Sequence, residues 1–176
     1  MIVQKAESLE LEGVRVGDTV VYAAHGVGQV VARGQKQVGG TERDCVVVEL
    51  AAGLRVTLSL DEAGERLRAV ADEKQLETVR RTLSSESPGR DSRWTTRIKE
   101  SKAKLAGGRP TELAELVRDG SRFEADGSRL SHVERRLYLQ ARELLIREIS
   151  SARGLEQDEA EAWIEAQIVA TDGNGD

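Results

Sequence analysis

The stretch Leu67-Arg68-Ala69-Val70-Ala71-Asp72-Glu73-Lys74-Gln75-Leu76-Glu77-Thr78-Val79-Arg80-Arg81-Thr82-Leu83 changes its apolar period part-way through, and that change divides the chain. Up to Val70 the period is two, the spacing of a strand with one buried face. From Glu73 it is about 3.6, and Leu76, Val79 and Leu83 fall on one helical stripe. Strands before this point and helices after it make an α+β chain with the two kinds of element segregated.

Working back from Val70, Leu54-Arg55-Val56-Thr57-Leu58 alternates, with Leu54, Val56 and Leu58 facing inward and Arg55 and Thr57 outward. Before the turn at Gly53, Asp44-Cys45-Val46-Val47-Val48-Glu49-Leu50 is apolar and β-branched enough for a buried strand. Gly34 and Gly39-Gly40 bracket a hairpin that leads back to a strand over Gly26–Ala32. Val14 to Tyr22 reads as a further strand, broken by Gly17-Asp18. Five short strands with glycine turns over about 55 residues predict a small antiparallel barrel.

Working forward, Ser84-Ser85-Glu86-Ser87-Pro88-Gly89 is a polar breaker and reads as a linker. A helix from Trp94 follows, with Ser92 as candidate N-cap and Gly107-Gly108 as its end. Pro110 opens another helix carrying Leu113, Leu116 and Val117, and residues 120–127, bounded by two glycines, read as a loop. Ser131 caps a long helix with the stripe Val133, Leu137, Ala141, Leu144, Leu145 and Ile149. The last helix, Gln157–Val169, is acidic and carries Trp163, Ile164 and Ile168. The expected organisation is a mobile arm over 1–13, a barrel over 14–71, a helix and linker over 72–89, a helical domain over 90–169 and a disordered tail over 170–176.

Charge is unevenly placed along the 176 residues. The net of −5 divides into −3 over residues 1–87, +5 over 88–153 and −7 over 154–176. The positive part is densest around Trp94, where Arg90, Arg93, Arg97, Lys99, Lys102 and Lys104 face only Asp91 and Glu100. Spacing puts Arg93 and Arg97 on one face beside the indole, an arrangement suited to a nucleic-acid backbone with an exposed base next to it. The alternative is a Trp tucked into an interdomain core with a solvated basic face behind it. Arg135-Arg136 on the long helix is either a solvated face or an extension of the same positive surface. Because the chain as a whole is acidic, any nucleic-acid contact is expected to be local and to need a second anchor.

Several classes of function lack the residues they need. One cysteine and two histidines offer no zinc ligand set and no intramolecular disulfide, so no metal or other cofactor is expected. No paired carboxylate or nucleophile–base arrangement marks an enzyme. His25-Gly26-Val27-Gly28 runs into a strand without a following Gly-Lys-Ser/Thr, so it reads as a turn and His25 as a turn residue. Cys45, within a valine run, reads as a small buried hydrophobe, and Trp163 as core packing. No window approaches the roughly 18 apolar residues of a membrane span, which sets the expectation of a cytoplasmic protein.

Val16-Gly17-Asp18-Thr19-Val20-Val21-Tyr22, His25-Gly26-Val27-Gly28 and Leu67-Arg68-Ala69-Val70 resemble the N-terminal domain of the CarD/CdnL family of bacterial transcription regulators. Trp94 with Arg97 and Lys99, the run from Lys104 to Gly108, the run from Leu113 to Asp119, and Leu130-Ser131 through Glu134-Arg135-Arg136 to Ala141-Arg142 are similar to its helical domain. The likeness covers roughly residues 14–152, in family order. It implies a Tudor-like barrel, of a kind shared with the transcription-repair coupling factor, that docks on the RNA polymerase β subunit. It also implies a helical domain that contacts promoter DNA largely without regard to sequence.

The family's Trp wedges into the minor groove at the upstream fork of the transcription bubble, and Trp94 matches it. By that resemblance Trp94, Arg97, Lys99 and Arg135 contact DNA, and the spacing of Arg93 and the pairing of Arg136 with Arg135 add those two to the expected DNA-contacting residues. Docking falls to Lys36, Arg55, Val56 and Thr57, with main-chain pairing along Leu54–Leu58 as its mode. The chain departs from the family's usual residues at Ala23, Cys45, Thr57 and Ser59, all in the barrel. The expected function is that of a monomeric regulator that stabilises the open promoter complex. The competing reading is a protein-interaction module of the same family with another partner and no DNA contact.

Overall fold

A computed structural model of the chain describes residues 13–88 and 93–169. The expected arm apart from Gly13, the candidate cap Ser92 with its neighbours Arg90 and Asp91, and the expected tail lie outside the described residues. The chain divides into two compact units between Val70 and Ala71, at the point where the period changes.

Among the described residues the first unit holds five antiparallel strands: β1 (Thr19–Tyr22), β2 (Gly26–Val38), β3 (Thr41–Leu50), β4 (Arg55–Ser59) and β5 (Leu67–Ala69). Their order is β4-β3-β2-β1-β5, so the expected barrel is an open sheet whose two ends, β4 and β5, do not pair with each other. Leu60–Arg66 forms a helix, α1, which opens on Ser59 as N-cap and carries the chain from one end of the sheet to the other. Ser59 Oγ accepts from the Glu62 backbone N–H, and the Glu62 carboxylate accepts from Ser59 N–H, a reciprocal capping box. Ser59-Leu60-Asp61-Glu62 carries that signal in sequence.

The core of this unit is Val14, Val20, Val30, Val46, Val48, Leu50, Leu58, Ala63 and Leu67. Valine dominates because β-branched side chains fill a pleated surface well. Cys45 is buried, as its valine setting suggested. At Gly28 a Cβ would lie 2.8 Å from Glu49 O and from side-chain carbons of Val48 and Leu50. Only glycine fits where β2 passes this close to its neighbour. From Ala32 to Asp44 every residue is exposed, so β2 and β3 continue past the core as a two-stranded ribbon that turns at Gly39-Gly40, both at positive φ. Gly34 lies within β2 and opposite Cys45, so it does not bracket the turn.

Among the described residues the regular elements of the second unit are helices: α2 (Glu73–Ser84), α3 (Trp94–Gly107), α4 (Pro110–Ala125), α5 (His132–Arg153) and α6 (Gln157–Val169). Leu76, Val79 and Leu83 of α2 are buried, as their spacing predicts, and they join a core with Leu113, Val117, Leu137, Leu145, Ile149 and Ile164. Packing runs α2 against α4 and α6, α5 against α4 and α6, and α3 against α4 and α5. Buried Arg118 ties α4 to the end of α2: its Nε donates to Asp119, and its Nη1 donates to Ser85 Oγ at 2.7 Å.

The loop expected over residues 120–127 is instead helical as far as Ala125. Gly120 is there for packing rather than for a turn. Its missing side chain makes room for the Tyr138 ring of α5, and a Cβ would come within 2.4 Å of Tyr138 Cδ2. Ser131 caps α5 as expected, and Gly108 and Gly154 close α3 and α5 in the left-handed conformation. Trp163 packs half-buried against the core, and the Arg153 guanidinium stands 4.8 Å from its ring centre.

Candidate functional site

Trp94 opens α3 on the same stripe as Ile98 and Leu105, one turn and three turns along. Those two are buried, whereas Trp94 is 46% exposed, because the first turn of α3 projects past the core. Thr95 and Thr96 beside it are exposed as well. From Arg97 to Lys104 α3 borders a groove of about 620 Å³, shared with α4 and α5, whose lining includes Arg97, Ser101, Phe123, Glu134 and Tyr138. The helix is thus held by two buried side chains out of fourteen residues.

Polar contacts supply the rest. The indole Nε1–H of Trp94 donates to Ser131 Oγ at 3.2 Å, and Nε and Nη2 of Arg97 donate to Glu134 Oε1, each at 3.4 Å. Ser131 and Glu134 are the N-cap and third residue of α5, and they form a reciprocal capping box. The Glu134 N–H donates to Ser131 Oγ at 3.3 Å and the Ser131 N–H donates to Glu134 Oε2 at 3.0 Å. The box therefore closes α5 and receives α3 at once.

The expected basic residues take different positions around this junction. Arg93 holds the N-cap position of α3 with no side-chain cap bond of its own, and it is exposed. Arg97, expected to flank the indole alongside Arg93, turns toward α5, and its side chain is only 23% exposed. Lys99 is exposed but lies roughly 140° round the helix from Trp94, at about 100° per residue. Arg135 follows Glu134 directly and lies one turn from Ser131. Its side chain is 63% exposed, with a long 3.8 Å approach to Glu124. Arg136 is exposed on α5. The junction thus joins Trp94 and Arg97 to the start of α5, with Arg135 next in sequence to Glu134, while Lys99 lies on another face of α3 and Arg136 is exposed.

Ser131 was legible as a helix cap and Glu134 as the last residue of Ser-x-x-Glu. That the pair would receive an indole and a guanidinium from 37 residues upstream has no sequence signal.

In the first unit, β4 pairs with β3 and, among the described residues, with no strand on its other side. A sheet edge offers unpaired main-chain groups to an added strand. Arg55 and Thr57 are exposed as expected, and Val56 is half-buried against the core. Leu54, expected inward, is 52% exposed, because it belongs to the turn before the strand begins. The strict alternation also ends early: Leu58 and Ser59 are both buried, since Ser59 already serves as the cap of α1. Arg55 Nε donates to Glu49 Oε2 at 2.6 Å across the β3–β4 pair.

Lys36 stands apart from these residues. It lies on the ribbon of β2 opposite Arg43, beyond the last residue of β3 that pairs with β4. Arg55 registers through Glu49 to Gln29, seven residues from Lys36, which is roughly 23 Å along the strand. The structure does not bring Lys36 together with the β4 residues.

Among the described residues no group of His, Cys, Asp or Glu could hold a metal ion, and no helix is long and apolar enough to cross a membrane. Two family models match consecutive parts of the chain. The one described as the CarD-like/TRCF RID domain matches residues 14–71, and the one described as the CarD C-terminal domain matches residues 72–165.

Proposed function

The chain belongs to the CarD family of RNA polymerase-interacting transcription regulators, and from that premise we propose that it stabilises the open promoter complex with Trp94 as a wedge at the upstream fork of the bubble. The observation that carries this reading is the exposure of Trp94 at the tip of α3, with Arg93 and Arg135 exposed near it. A half-exposed indole on a helix end can stack on a base that has already come unpaired, and stacking accepts any base. Exposed guanidinium and ammonium groups, Lys99 and Arg136 among them, would meet phosphates and hold the helix on the duplex.

The local positive charge is small, so affinity for free DNA is weak and a second attachment is needed. We assign that attachment to the β4 edge, docked by strand addition on the polymerase β subunit with Arg55 and Thr57 facing the partner. The protein works as a cytoplasmic monomer, without a cofactor and without catalysing a reaction.

The test is the decay of the open complex formed by polymerase holoenzyme, promoter DNA and the full chain. Trp94→Ala is expected to shorten its lifetime by about 5- to 150-fold, the factor for losing one base stack, while binding to polymerase stays unchanged. A lifetime that falls only in proportion to unfolded protein would return Trp94 to a structural role.

A further inference from the structure

We infer that the capping box at the start of α5 is the seat of the Trp94 indole, with Ser131 and Glu134 as positioning residues. The inference rests on the wedge reading and adds what holds the wedge in register. A wedge must present a ring face in one direction. An exposed Trp at a helix end is free about two side-chain torsions, and any order gained only on reaching DNA subtracts from the binding it provides.

Apolar packing does not supply that order. Trp94, Thr95 and Thr96 are exposed, the cap position Arg93 makes no side-chain cap bond, and the first buried residue of α3 is Ile98. The capping box supplies it at two points. Ser131 Oγ accepts the indole N–H at 3.2 Å and the Glu134 N–H at 3.3 Å, which uses both lone pairs of the hydroxyl. Its position is fixed in turn, because the Ser131 N–H is bonded to Glu134 Oε2.

The other carboxylate oxygen, Oε1, receives Arg97 from the next turn of α3. Glu134 is one-tenth exposed, so this pair is less screened than one on the open surface. One carboxylate thus closes the N-terminus of α5 with one oxygen and sets the rotation of α3 with the other. Arg97 in this arrangement is a strut: its charge is answered within the protein, and it orients the indole beside it.

The experiment uses the full chain with polymerase holoenzyme and promoter DNA, and compares Ser131→Gly, Ser131→Thr and Glu134→Gln with Trp94→Ala. Glycine is a competent N-cap without a hydroxyl, so Ser131→Gly removes the indole acceptor and leaves α5 nearly as stable, within about 1–3 °C of melting temperature. It is expected to shorten the open-complex lifetime by about 2- to 10-fold, the factor for one neutral hydrogen bond. It should also shift the indole N–H resonance of Trp94 while that of Trp163 stays in place. Ser131→Thr keeps the acceptor and is expected to restore both.

Glu134→Gln keeps the box, since Gln serves there, but removes the charge that holds Arg97, and it too should shorten the lifetime. A Trp94 resonance unmoved by Ser131→Gly overturns the seat. So does a wild-type lifetime for Ser131→Gly in the same assay in which Trp94→Ala shortens it. An unchanged lifetime for Trp94→Ala overturns the wedge reading itself, a different result.

Discussion

Trp94 and Gly120 show how much a single residue's meaning depends on what surrounds it. A buried Trp cut back to Ala leaves a cavity costing about 3–5 kcal/mol. Trp94 is 46% exposed, so roughly half of that cost is absent, and Trp94→Ala is expected to lower the thermal midpoint of the full chain much less than loss of a core Trp would. Functional loss out of proportion to thermal loss is the signature to look for. Gly120 is the opposite case. Gly120→Ala places a Cβ 2.4 Å from the Tyr138 ring, which is part of the core, and is expected to destabilise the chain by about 1–3 kcal/mol in urea unfolding. Gly107→Ala is its control. There the added atom meets only the Glu112 carboxylate tip at 2.9 Å, which can swing aside, so little loss is expected. Sequence alone read Gly120 as a loop boundary, because a glycine that turns a chain and a glycine that admits a ring look the same until the ring is placed.

At the scale of elements, β4 and α1 share Ser59. The strand carries the proposed docking edge, and the test is charge reversal at Arg55. Its ion pair with Glu49 is exposed, so it contributes at most about 1 kcal/mol, and Arg55→Glu should leave the sheet folded. Co-precipitation of polymerase is expected to fall sharply, and undiminished binding would remove this edge as the interface. For α1, the Ser59 backbone N–H and then its hydroxyl hold the Glu62 carboxyl below its ordinary value. A lowered pKa in the folded state means that the box stabilises α1 fully at neutral pH and is lost as pH falls through the folded value. Ser59→Ala is expected to cost about 0.5–2 kcal/mol and to move the Glu62 titration, followed by NMR, back up toward the usual range. Helix ends were the most legible elements in this sequence, since Ser131, Pro110 and the closing glycines act on backbone groups within one turn. The short α1 was masked by its neighbours, its seven residues lying between two strands.

For the whole molecule, the distribution of charge decides how it can meet DNA. The positive segment is followed by one carrying −7, and part of that acid is spent internally, since Glu161 and Glu165 of α6 both pair with Arg142 of α5. Which cations remain for phosphates is read from the salt dependence of DNA binding. Lys99→Ala and Arg135→Ala are each expected to lower the salt slope by roughly one unit with sequence preference unchanged, whereas Arg97→Ala, already matched by Glu134, should lower it by much less. A full unit lost at Arg97 would show that it leaves Glu134 for the backbone. The sequence by itself determined the division at Val70, the antiparallel strands and helices on either side, and the place of Trp94 at the start of a helix. Those follow from periodicity and capping, which act between residues a few positions apart. Only the tertiary structure decided that the sheet stays open with β4 at its edge, that Lys36 stands far from Arg55, and that Trp94 and Arg97 rest on Ser131 and Glu134. These contacts join residues far apart in the chain, and the packing of elements chooses among partners that local preference leaves equivalent.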